Sequence, residues 1–475
     1  MIIPFGEWLP DLPDLSNPGA LIAKNVIGLA GDNYGPLRSP VSFTDALASA
    51  CLGSFWVQDK ADQVYNFAGD STSLYSLNGS TWNSLTNGFT ATNWEFVKYG
   101  QRVIAAAPNT QPQFFDMDAP SVFVPLPNAP AASRICIVRG HVMLGDLTDE
   151  PEVLAWSGLE NSETYSPSLT TQAGRQNLFG RGGRIQRLVP GNGYAVVFQE
   201  HSIRIAQHVG PPILFNVGDE LERGRGTPAP NSVCWTGQNI FYYGQDGFYV
   251  FNGGSNPIGA NRVDDWFRRN SAAEALPSMR GAVDRHNRLV LWAYKSTTSA
   301  LINDRLIIYN WAADKWSYAE VDTETIAEYL TAGVTMEQAD AIYGNDADAI
   351  NVLSDSDAFA GGRLSLALFG AGHTLQTLSG APLEGEIGTK ELGEERRMTV
   401  RSVRPLVDSG GSQVCVGRRD RLKDQFSFSP PIDQNDQGEC DYLSNARYHR
   451  FTVKTQGDWT TAQGVDVEAR QAGRR

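Results

Sequence analysis

Residues 53–85 read GSFWVQDKADQVYNFAGDSTSLYSLNGSTWNSL, and this stretch decides the fold. Short runs rich in aromatic and apolar residues, GSFWVQ, QVYNFAG, SLYSLN and TWNSL, follow one another with Asp, Gly, Asn and Ser between them. Runs of this length that are cut off by turn-forming residues are typical of strands that pair with their sequence neighbours. The stretch therefore predicts a four-stranded antiparallel meander.

The same pattern recurs along the chain at a spacing of about 40 to 50 residues, which is typical of propeller blades with four strands each. The predicted first strands begin near Gly53, Asn93, Arg134, Arg184, Ser232, Arg280 and Ile326. We therefore predict an all-β protein in which residues 46–380 form an irregular β-propeller of about seven blades, with six or eight blades left open.

The third strand of several predicted blades ends in asparagine. Asn78, Asn252 and Asn310 each follow an apolar or aromatic residue at this position. Because asparagine tolerates the left-handed backbone region better than most residues, we expect it to begin the turn that leads to the outer strand.

The pattern changes after Gly380. Segments such as EGEIGTKEL, MTVRSVRPLVD, SQVCVGRR and GVDVEAR largely alternate and lose the blade spacing, which predicts an antiparallel β-sandwich for residues 381–475. Residues 1–45 contain the run LIAKNVIGLAG between Pro- and Gly-rich flanks. This segment suits either an extended N-terminal arm or a strand that closes the propeller.

Charge is distributed unevenly along the chain. Residues 396–475 carry 14 Lys+Arg against 10 Asp+Glu, a net charge of +4, so the preceding residues carry −18 of the total of −14. An acidic body disfavours tight wrapping of nucleic acid and fits docking between protein subunits. The first residues lack a basic and apolar leader, so we expect a soluble protein with no signal peptide and no membrane insertion.

We predict no catalytic, cofactor-binding or metal-binding residues, hence a protein that is not an enzyme and takes no cofactor. The cysteines and histidines stand singly, without metal-ligand spacing, which indicates buried free thiols and structural or surface histidines. No nucleophile-elbow or phosphate-loop motif occurs in the sequence. Asp-rich turns at 345–348 and 354–357 lack the rest of a calcium loop, so we interpret them as turns. The residues concerned are Cys51, Cys136, Cys234, Cys415 and Cys440, and His141, His201, His208, His286, His373 and His449.

Arginine-rich turns are the candidates for contacts with a partner. The loops at 180–184 and 223–226 and the cluster Arg418, Arg419 and Arg421 could face DNA phosphates, carboxylates on an adjacent subunit, or solvent. The polar stretch 159–183 is too long for a tight turn, so we predict a surface loop that is available to a partner.

Aromatic residues and one helical segment complete the prediction. We expect Trp235, Trp266, Trp311 and Trp316 to fill wedges between blades rather than to stack on a ligand. Residues 261–270, NRVDDWFRRN, predict a helix with Asn261 as its N-cap.

Three stretches resemble phage virion proteins: NPGALIAKNVIGLAGDNYGPLRS (17–39), DRLIIYNWAADKWSYAE (304–320) and ARYHRFTVKTQGDWTTAQGVDVEARQAGRR (446–475). With the order of the predicted parts, they resemble the packaged-DNA stabilisation or tail-hub proteins, the head-to-tail connectors, of short-tailed bacteriophages. Each stretch also has a purely structural explanation, because each contains predicted strands.

This resemblance implies a virion structural protein in the tail, assembled in the host cytoplasm. Such a protein forms a ring of identical subunits, typically a homohexamer, that docks below the portal and its adaptor and helps to retain packaged DNA. It anchors tail needle, nozzle or fibre proteins and allows non-specific contact with DNA in the channel.

Two other function classes stay open. A carbohydrate-binding or carbohydrate-cleaving propeller, acting as a receptor-engaging tail component, would use carboxylates at the propeller mouth. The sequence does not mark such a pair, and the nearest sialidase-type turn, at Gly79 to Trp82, lacks its Asp. A host intracellular scaffold is disfavoured because no regular WD or kelch signature recurs.

Overall fold

The protein is an all-β molecule built around a β-propeller. It is a computed structural model that describes residues 1–120, 122–299, 302–330 and 364–471. Short strands come before the blades: β1 (Ile2–Pro4), β2 (Ile22–Lys24), β3 (Val26–Gly28), β4 (Tyr34–Pro36) and β5 (Val41–Ala46).

Five blades follow in chain order, each a separate antiparallel sheet. The first contains β6 (Gly53–Gln58), β7 (Val64–Gly69), β8 (Ser73–Asn78) and β9 (Thr81–Asn87), and the second contains β10 (Glu95–Tyr99), β11 (Arg102–Ala106), β12 (Gln113–Asp116) and β13 (Val124–Pro125). The third contains β14 (Ala132–Val138), β15 (His141–Leu147), β16 (Val153–Trp156) and β17 (Gly174–Asn177). The fourth contains β18 (Ile185–Pro190), β19 (Tyr194–Gln199), β20 (Ser202–His208), β21 (Phe215–Val217) and β22 (Glu222–Arg223), and the fifth contains β23 (Cys234–Trp235), β24 (Ile240–Tyr243), β25 (Phe248–Phe251) and β26 (Ser255–Pro257).

A helix and two further groups of strands complete the circle. These are α1 (Asp264–Asn270), then β27 (Arg280–Asp284), β28 (Leu289–Tyr294), β29 (Asn303–Asn310) and β30 (Lys315–Thr323), then β31 (Thr325–Leu330), β32 (Leu364–Phe369) and β33 (Thr374–Thr377). Short 3-10 turns lie at Ala30–Asp32, Pro230–Ser232 and Ala273–Ser278.

The first strand of each group lies innermost. β6, β10, β14, β18, the turn at Pro230–Ser232, β27 and β31 each contact the next, and β31 contacts β6 again, so the inner strands form a closed circle. Every predicted first strand begins within two residues of an observed one. The blade spacing predicted from the sequence is therefore confirmed.

Apolar side chains fill the wedges between neighbouring sheets. Phe67 of the first blade meets Phe115 of the second at a ring distance of 5.1 Å, and Trp156 of the third meets Phe215 of the fourth at 5.2 Å. Because each sheet has a neighbour on both sides, both of its faces are apolar, and burial of these faces drives the closure of the circle.

Within the described residues six blade sheets stand separately, which is one fewer than the count of about seven and is the lower of the two alternatives left open. The antiparallel meander β27 to β30 does not stand alone, because its last strand pairs in parallel with β2 at Tyr318 and Lys24. This pairing makes it part of a fifteen-stranded sheet. The local sequence pattern of a meander does not change when a distant strand pairs with its edge. Counting repeats in the sequence therefore could not predict the pairing of β2 with β30.

The sixth separate sheet joins the two ends of the propeller. β5 pairs antiparallel with β33, with Ser42 opposite Gln376 and Ala46 opposite Thr374, and β31 and β32 complete this sheet. The sequence predicts that residues 1–45 are either an arm or a strand that closes the propeller. The end of this segment is part of a closing strand, because β5 begins at Val41 and pairs with β33. The earlier strands lie elsewhere, in the large sheet.

That large sheet also contains the C-terminal strands. They are β34 (Gly385–Gly388), β35 (Leu392–Val407), β36 (Gly411–Arg419), β37 (Ser427–Phe428), β38 (Ile432–Asp433), β39 (Cys440–Gln456) and β40 (Ala462–Gln471). β2 pairs with β34, β34 with β39, and β1 and β4 pair with β40. Residues at the two ends of the chain therefore fold as one hydrogen-bonded unit with the meander β27 to β30.

Helix α1 begins three residues later than the prediction, and Asn261 is not its N-cap. Asn261 lies in the left-handed region with a φ of 59°, and no side chain of the segment itself caps the helix. Asp11, from the segment before β2, takes that role: its two carboxylate oxygens accept the N–H groups of Asp265 at 2.9 Å and Trp266 at 2.6 Å. A cap from a distant segment cannot be found by spacing.

We expect Asp11→Ala to lower the free energy of unfolding by about 1 kcal/mol, because it leaves two helix N–H groups without their acceptor. Chemical denaturation of the two proteins measures the difference. Asp11→Asn retains one carbonyl acceptor and should lose about half as much. Equal stability of Asp11→Ala and the wild type would contradict the capping role.

The predicted role of asparagine in the blade turns is wrong. At Asn78 and Asn252 the left-handed residue is the glycine that follows, Gly79 with a φ of 63° and Gly253 with a φ of 103°. Asn310 instead accepts the N–H groups of two following residues with its side-chain oxygen. No helix in the described ranges is long and apolar enough to cross a bilayer.

Candidate functional site

A cluster of charged side chains lies at the start of the inner strands, at one mouth of the propeller axis. Glu95 at the start of β10 is 7% exposed, and its Oε1 accepts Arg134 Nη1 from β14 at 2.6 Å and Arg187 Nη1 from β18 at 2.5 Å. Its Oε2 accepts the N–H of Ile135 at 3.3 Å. Burial alone raises the pKa of Glu95, but Arg187 and Arg134 outweigh it and hold the pKa below its usual value. Three blades are thus joined through one carboxylate.

Arg280 reaches the same mouth from the opposite side of the circle. It begins β27 and donates to Asn93 Oδ1, just before β10. Burial lowers the pKa of Arg280 to about 10, so the guanidinium stays charged at neutral pH. The amide nitrogen of Asn93 and the Nε of Arg134 are both buried and have no hydrogen-bond partner.

Sequence reasoning missed this cluster, although its members lie at or next to predicted strand starts. A charged residue at the start of an innermost strand, repeated in neighbouring blades, is the signal that would have found it. Each residue alone reads as an ordinary strand terminus, and only closure of the circle brings the four together.

A second feature is an apolar groove of about 660 Å³ at the outer rim of the third and fourth blades. Its lining includes Trp156, Leu169, Pro212, Ile213 and Phe215. Leu169 and Ile213 are 70% and 66% exposed. Apolar side chains this exposed and this close together mark sites of protein contact more often than ordinary surface.

The stretch 159–183 forms part of the wall of this groove, and part of the stretch differs from the predicted loop. Residues 174–177 form β17, the outer strand of the third blade. The strand has the polar sequence GRQN, which carries no alternating pattern, so it escaped prediction. The rest of the stretch is irregular and contains Phe179, which is 79% exposed.

The predicted arginine loops are largely committed to contacts inside the chain. Arg184 donates to Asp146 at 2.8 and 2.9 Å, and Arg223 pairs with Glu220 at 3.2 Å. Arg225 donates to the carbonyl of Ser255 at 3.2 Å. All three side chains stay exposed to solvent, Arg223 at 77%, and Arg181 is exposed as well.

The third feature is the edge of the C-terminal sheet formed by β36, β37 and β38. It exposes the apolar residues Leu422, Phe428 and Ile432. Arg418, Arg421 and Lys423 are exposed beside them. Arg419, in contrast, is turned inward, where it donates to the fully buried Glu391 at 2.6 Å. This edge therefore combines apolar and basic side chains.

The remaining predicted residues are mostly structural. All five cysteines are buried, as predicted. His141 and His449 are also buried, and burial lowers the pKa of His449 to about 4. Within the described ranges no group of three or more histidine, cysteine or acidic side chains could hold a metal ion. The Asp-rich turns at 345–348 and 354–357 lie outside the described residues.

The tryptophans divide into two groups. Trp316 is fully buried against Tyr309 at 4.6 Å, Trp266 lies 4.8 Å from Trp8, and Trp311 lies 6.0 Å from Phe241. Trp311 packs between two neighbouring sheets, as expected, whereas Trp266 lies on α1 and packs against the N-terminal segment instead of between blades. Trp235 differs, because it is 40% exposed at the start of the fifth blade.

The chain matches no protein-family profile and no curated protein. Among solved structures it is similar to the computationally designed Ika8 protein, at 10% identity and a TM-score of 0.38, over 73% of this chain and 100% of that one. It is also similar to BamB from Moraxella catarrhalis, at 10% identity and a TM-score of 0.39, over 74% of this chain and 92% of that one.

Proposed function

We propose that the chain is a structural subunit of a tailed-bacteriophage virion, a tail hub or head-to-tail stabilising protein. In this role it docks below the portal and adaptor, helps to retain packaged DNA, and anchors needle, nozzle or fibre proteins. It acts through shape and subunit contact, without catalysis.

The observation that carries the proposal is the convergence of the three stretches that resemble phage virion proteins. Strands β2 to β4, strands β29 and β30, and strands β39 and β40 all belong to the fifteen-stranded sheet. Their apolar side chains share one core, in which Val26, Trp316 and Phe451 are fully buried. Stretches that are separate in sequence but form one structural unit support a common origin better than scattered matches would.

Two unlike surfaces support assembly into a ring of identical subunits. The groove of the third and fourth blades and the apolar, basic edge at β36 to β38 lie on different parts of the chain. Contacts between unlike surfaces of identical subunits generate closed rings when the rotation closes. The net charge of +4 after residue 395 and of −18 before it favours contact between the C-terminal strands of one subunit and the body of the next.

Two finer features of the fold belong to the same proposal. We propose that β27 to β30 act as a seventh blade, since β27 lies between the turn at Pro230–Ser232 and β31 in the inner circle. We also propose that β34 to β40 form a β-sandwich, which with β1 to β4 makes a platform for the distal tail parts.

The direct test is mass spectrometry of purified particles of the phage that encodes the chain. We expect the protein at a fixed copy number relative to the portal. Its absence from purified particles would overturn the proposal. Specific glycan binding or hydrolysis of host polysaccharide by the purified chain would instead support the carbohydrate-binding alternative.

The groove is tested by the double variant Leu169→Asp and Ile213→Asp. Because both side chains are already exposed, we expect an unchanged unfolding temperature but a fall in incorporation into particles on the order of tenfold or more. Val122→Asp, a change at a 44% exposed position of the second blade, is the matched control and should incorporate normally. Normal incorporation of the double variant would show that the groove is not a subunit contact.

A further inference from the structure

The charged cluster at the propeller axis has more positive charge than its acidic residue can balance. Arg134, Arg187 and Arg280 contribute three guanidinium groups, and Glu95 contributes one carboxylate. A buried charge without a counter-charge costs several kcal/mol, and such groups are normally paired. The excess of two positive charges therefore calls for a physical explanation.

The nearby acidic groups do not supply the missing charge. The carboxylate that acts on Arg280 is Glu95, which already accepts hydrogen bonds from two other arginines. Glu324 pairs with the ring of His373, and its carboxylate also accepts a hydrogen bond from the N–H of Cys51 at 2.9 Å. Burial raises the pKa of the Cys51 thiol to about 12, so it is neutral at physiological pH.

Hydrogen-bond donors in the cluster also lack acceptors. Asn93 is 6% exposed, its oxygen is taken by Arg280, and its amide nitrogen has no partner. The Nε of Arg134, whose side chain is 9% exposed, has none either. Unpartnered donors on two buried side chains beside an unbalanced charge indicate an acceptor-rich, negatively charged occupant.

The cluster meets solvent at Arg187, whose side chain is 31% exposed. A ligand that arrives from solvent therefore meets this guanidinium first, and the planar fork of a guanidinium suits a tetrahedral or planar oxyanion.

We propose that this mouth is a binding site for a small phosphate-class dianion, held by Arg280, Arg187 and Arg134 with Asn93 as an additional donor. A divalent phosphate neutralises the two excess charges, whereas a single carboxylate neutralises one of them. The bound ion ties β27 to β14 and β18 across the axis and so completes the circle of inner strands. This inference is independent of the proposed role in a virion.

The test uses the full chain and inorganic phosphate at pH 7.5, with chloride as the comparison ion at equal ionic strength. We expect phosphate to raise the unfolding temperature in a saturable way and to give a measurable heat of binding in titration calorimetry. Arg280→Gln should raise the dissociation constant for phosphate on the order of tenfold to a hundredfold, because it removes a charged donor.

The controls separate this site from general ion effects. Arg175→Gln removes an exposed guanidinium that pairs with Glu150 on the surface, and it should leave phosphate binding unchanged. If Arg280→Gln does not fold, Arg187→Gln at the more exposed position takes its place. Broadening of the phosphorus resonance by the wild-type chain, and its loss in the variant, gives a readout that does not depend on stability.

Three results would overturn the proposal. One is a phosphate effect no larger than that of chloride at the same ionic strength. Another is a phosphate affinity that neither Arg280→Gln nor Arg187→Gln changes. The third is a saturable stabilisation by acetate that equals that by phosphate, because a monovalent carboxylate would then satisfy the site as well as a dianion.

Discussion

Replacing Glu95 with alanine is expected to lower the free energy of unfolding by about 3–5 kcal/mol. The carboxylate accepts hydrogen bonds from Arg134 and Arg187, and Arg134 is itself only 7% exposed. Removing the carboxylate leaves the buried guanidinium of Arg134 without its counter-charge. The effect should also weaken contact among the second, third and fourth blades, because these arginines come from different inner strands.

Urea denaturation of the wild type and Glu95→Ala measures this loss. Glu163→Ala is the matched control, since Glu163 pairs with Arg102 at 2.7 Å but is 40% exposed, and it should cost less than about 1 kcal/mol. A loss at Glu95 no larger than that at Glu163 would contradict the account.

The stabilisation by Glu95 should depend on pH with a definite sign. The folded-state pKa of Glu95 is lowered, so the stabilisation is fully present above the unfolded-state pKa of about 4.3. It is lost as the pH falls through the folded-state value. The difference in the free energy of unfolding between the wild type and Glu95→Ala should therefore become smaller at acidic pH.

The second large effect is expected at Asp264, the first residue of α1. Asp264 is 8% exposed, and burial raises its pKa to about 7. The negative charges of Asp11 and Asp246 raise this pKa further, whereas the hydrogen bond from the N–H of Phe248 and the positive charge of Arg268 lower it. The carboxylate is enclosed closely: a Cβ on Gly247 would lie 2.2 Å from Oδ2, and one on Gly259 would lie 2.1 Å from Oδ1. Glycine at both positions leaves the room it needs.

A raised pKa in the folded state means that folding favours the protonated form of Asp264. Its contribution to stability is fully present below the unfolded-state pKa of about 3.9 and is lost as the pH rises to about 7. The difference of about three units corresponds to about 4 kcal/mol. Asp264→Asn, which stays neutral and keeps the acceptor for the N–H of Phe248, should remove this dependence.

Denaturation at pH 4 and at pH 8 tests the expectation. From pH 4 to pH 8 the free energy of unfolding of the wild type should fall by several kcal/mol more than that of Asp264→Asn. Asp265→Asn changes the exposed neighbour on the same helix and serves as the control. Parallel stability profiles for the wild type and Asp264→Asn would contradict the account.

The propeller could be predicted from the sequence because its evidence is local. Each blade repeats short apolar runs and turns, so the starts of β6, β10 and β27 follow directly from spacing. Pairings between distant segments leave no such trace. The addition of β2 to β30 and the capping of α1 by Asp11 depend on residues hundreds of positions away.

The candidate sites were harder to predict than the fold for the same reason. The loop at 159–183 could be predicted because an unusually long polar stretch is recognisable in the sequence itself. The axis cluster was not, since Glu95 and Arg280 are 185 positions apart and meet only when the circle closes. The arginine-rich loops are exposed, as the sequence suggested, but the pairing of Arg184 with Asp146 could not be predicted because the two residues lie 38 positions apart.

Closure of the propeller by β5 has a consequence for how the protein forms during translation. Ser42 and Thr374, whose hydroxyl groups lie 2.9 Å apart, are separated by 332 residues. At about 5–20 residues per second, the ribosome finishes the partner strand on the order of tens of seconds after β5 has emerged. Until β33 has been made, β5 has no strand with which to pair, so the circle of blades closes only after nearly all of the propeller has been synthesised.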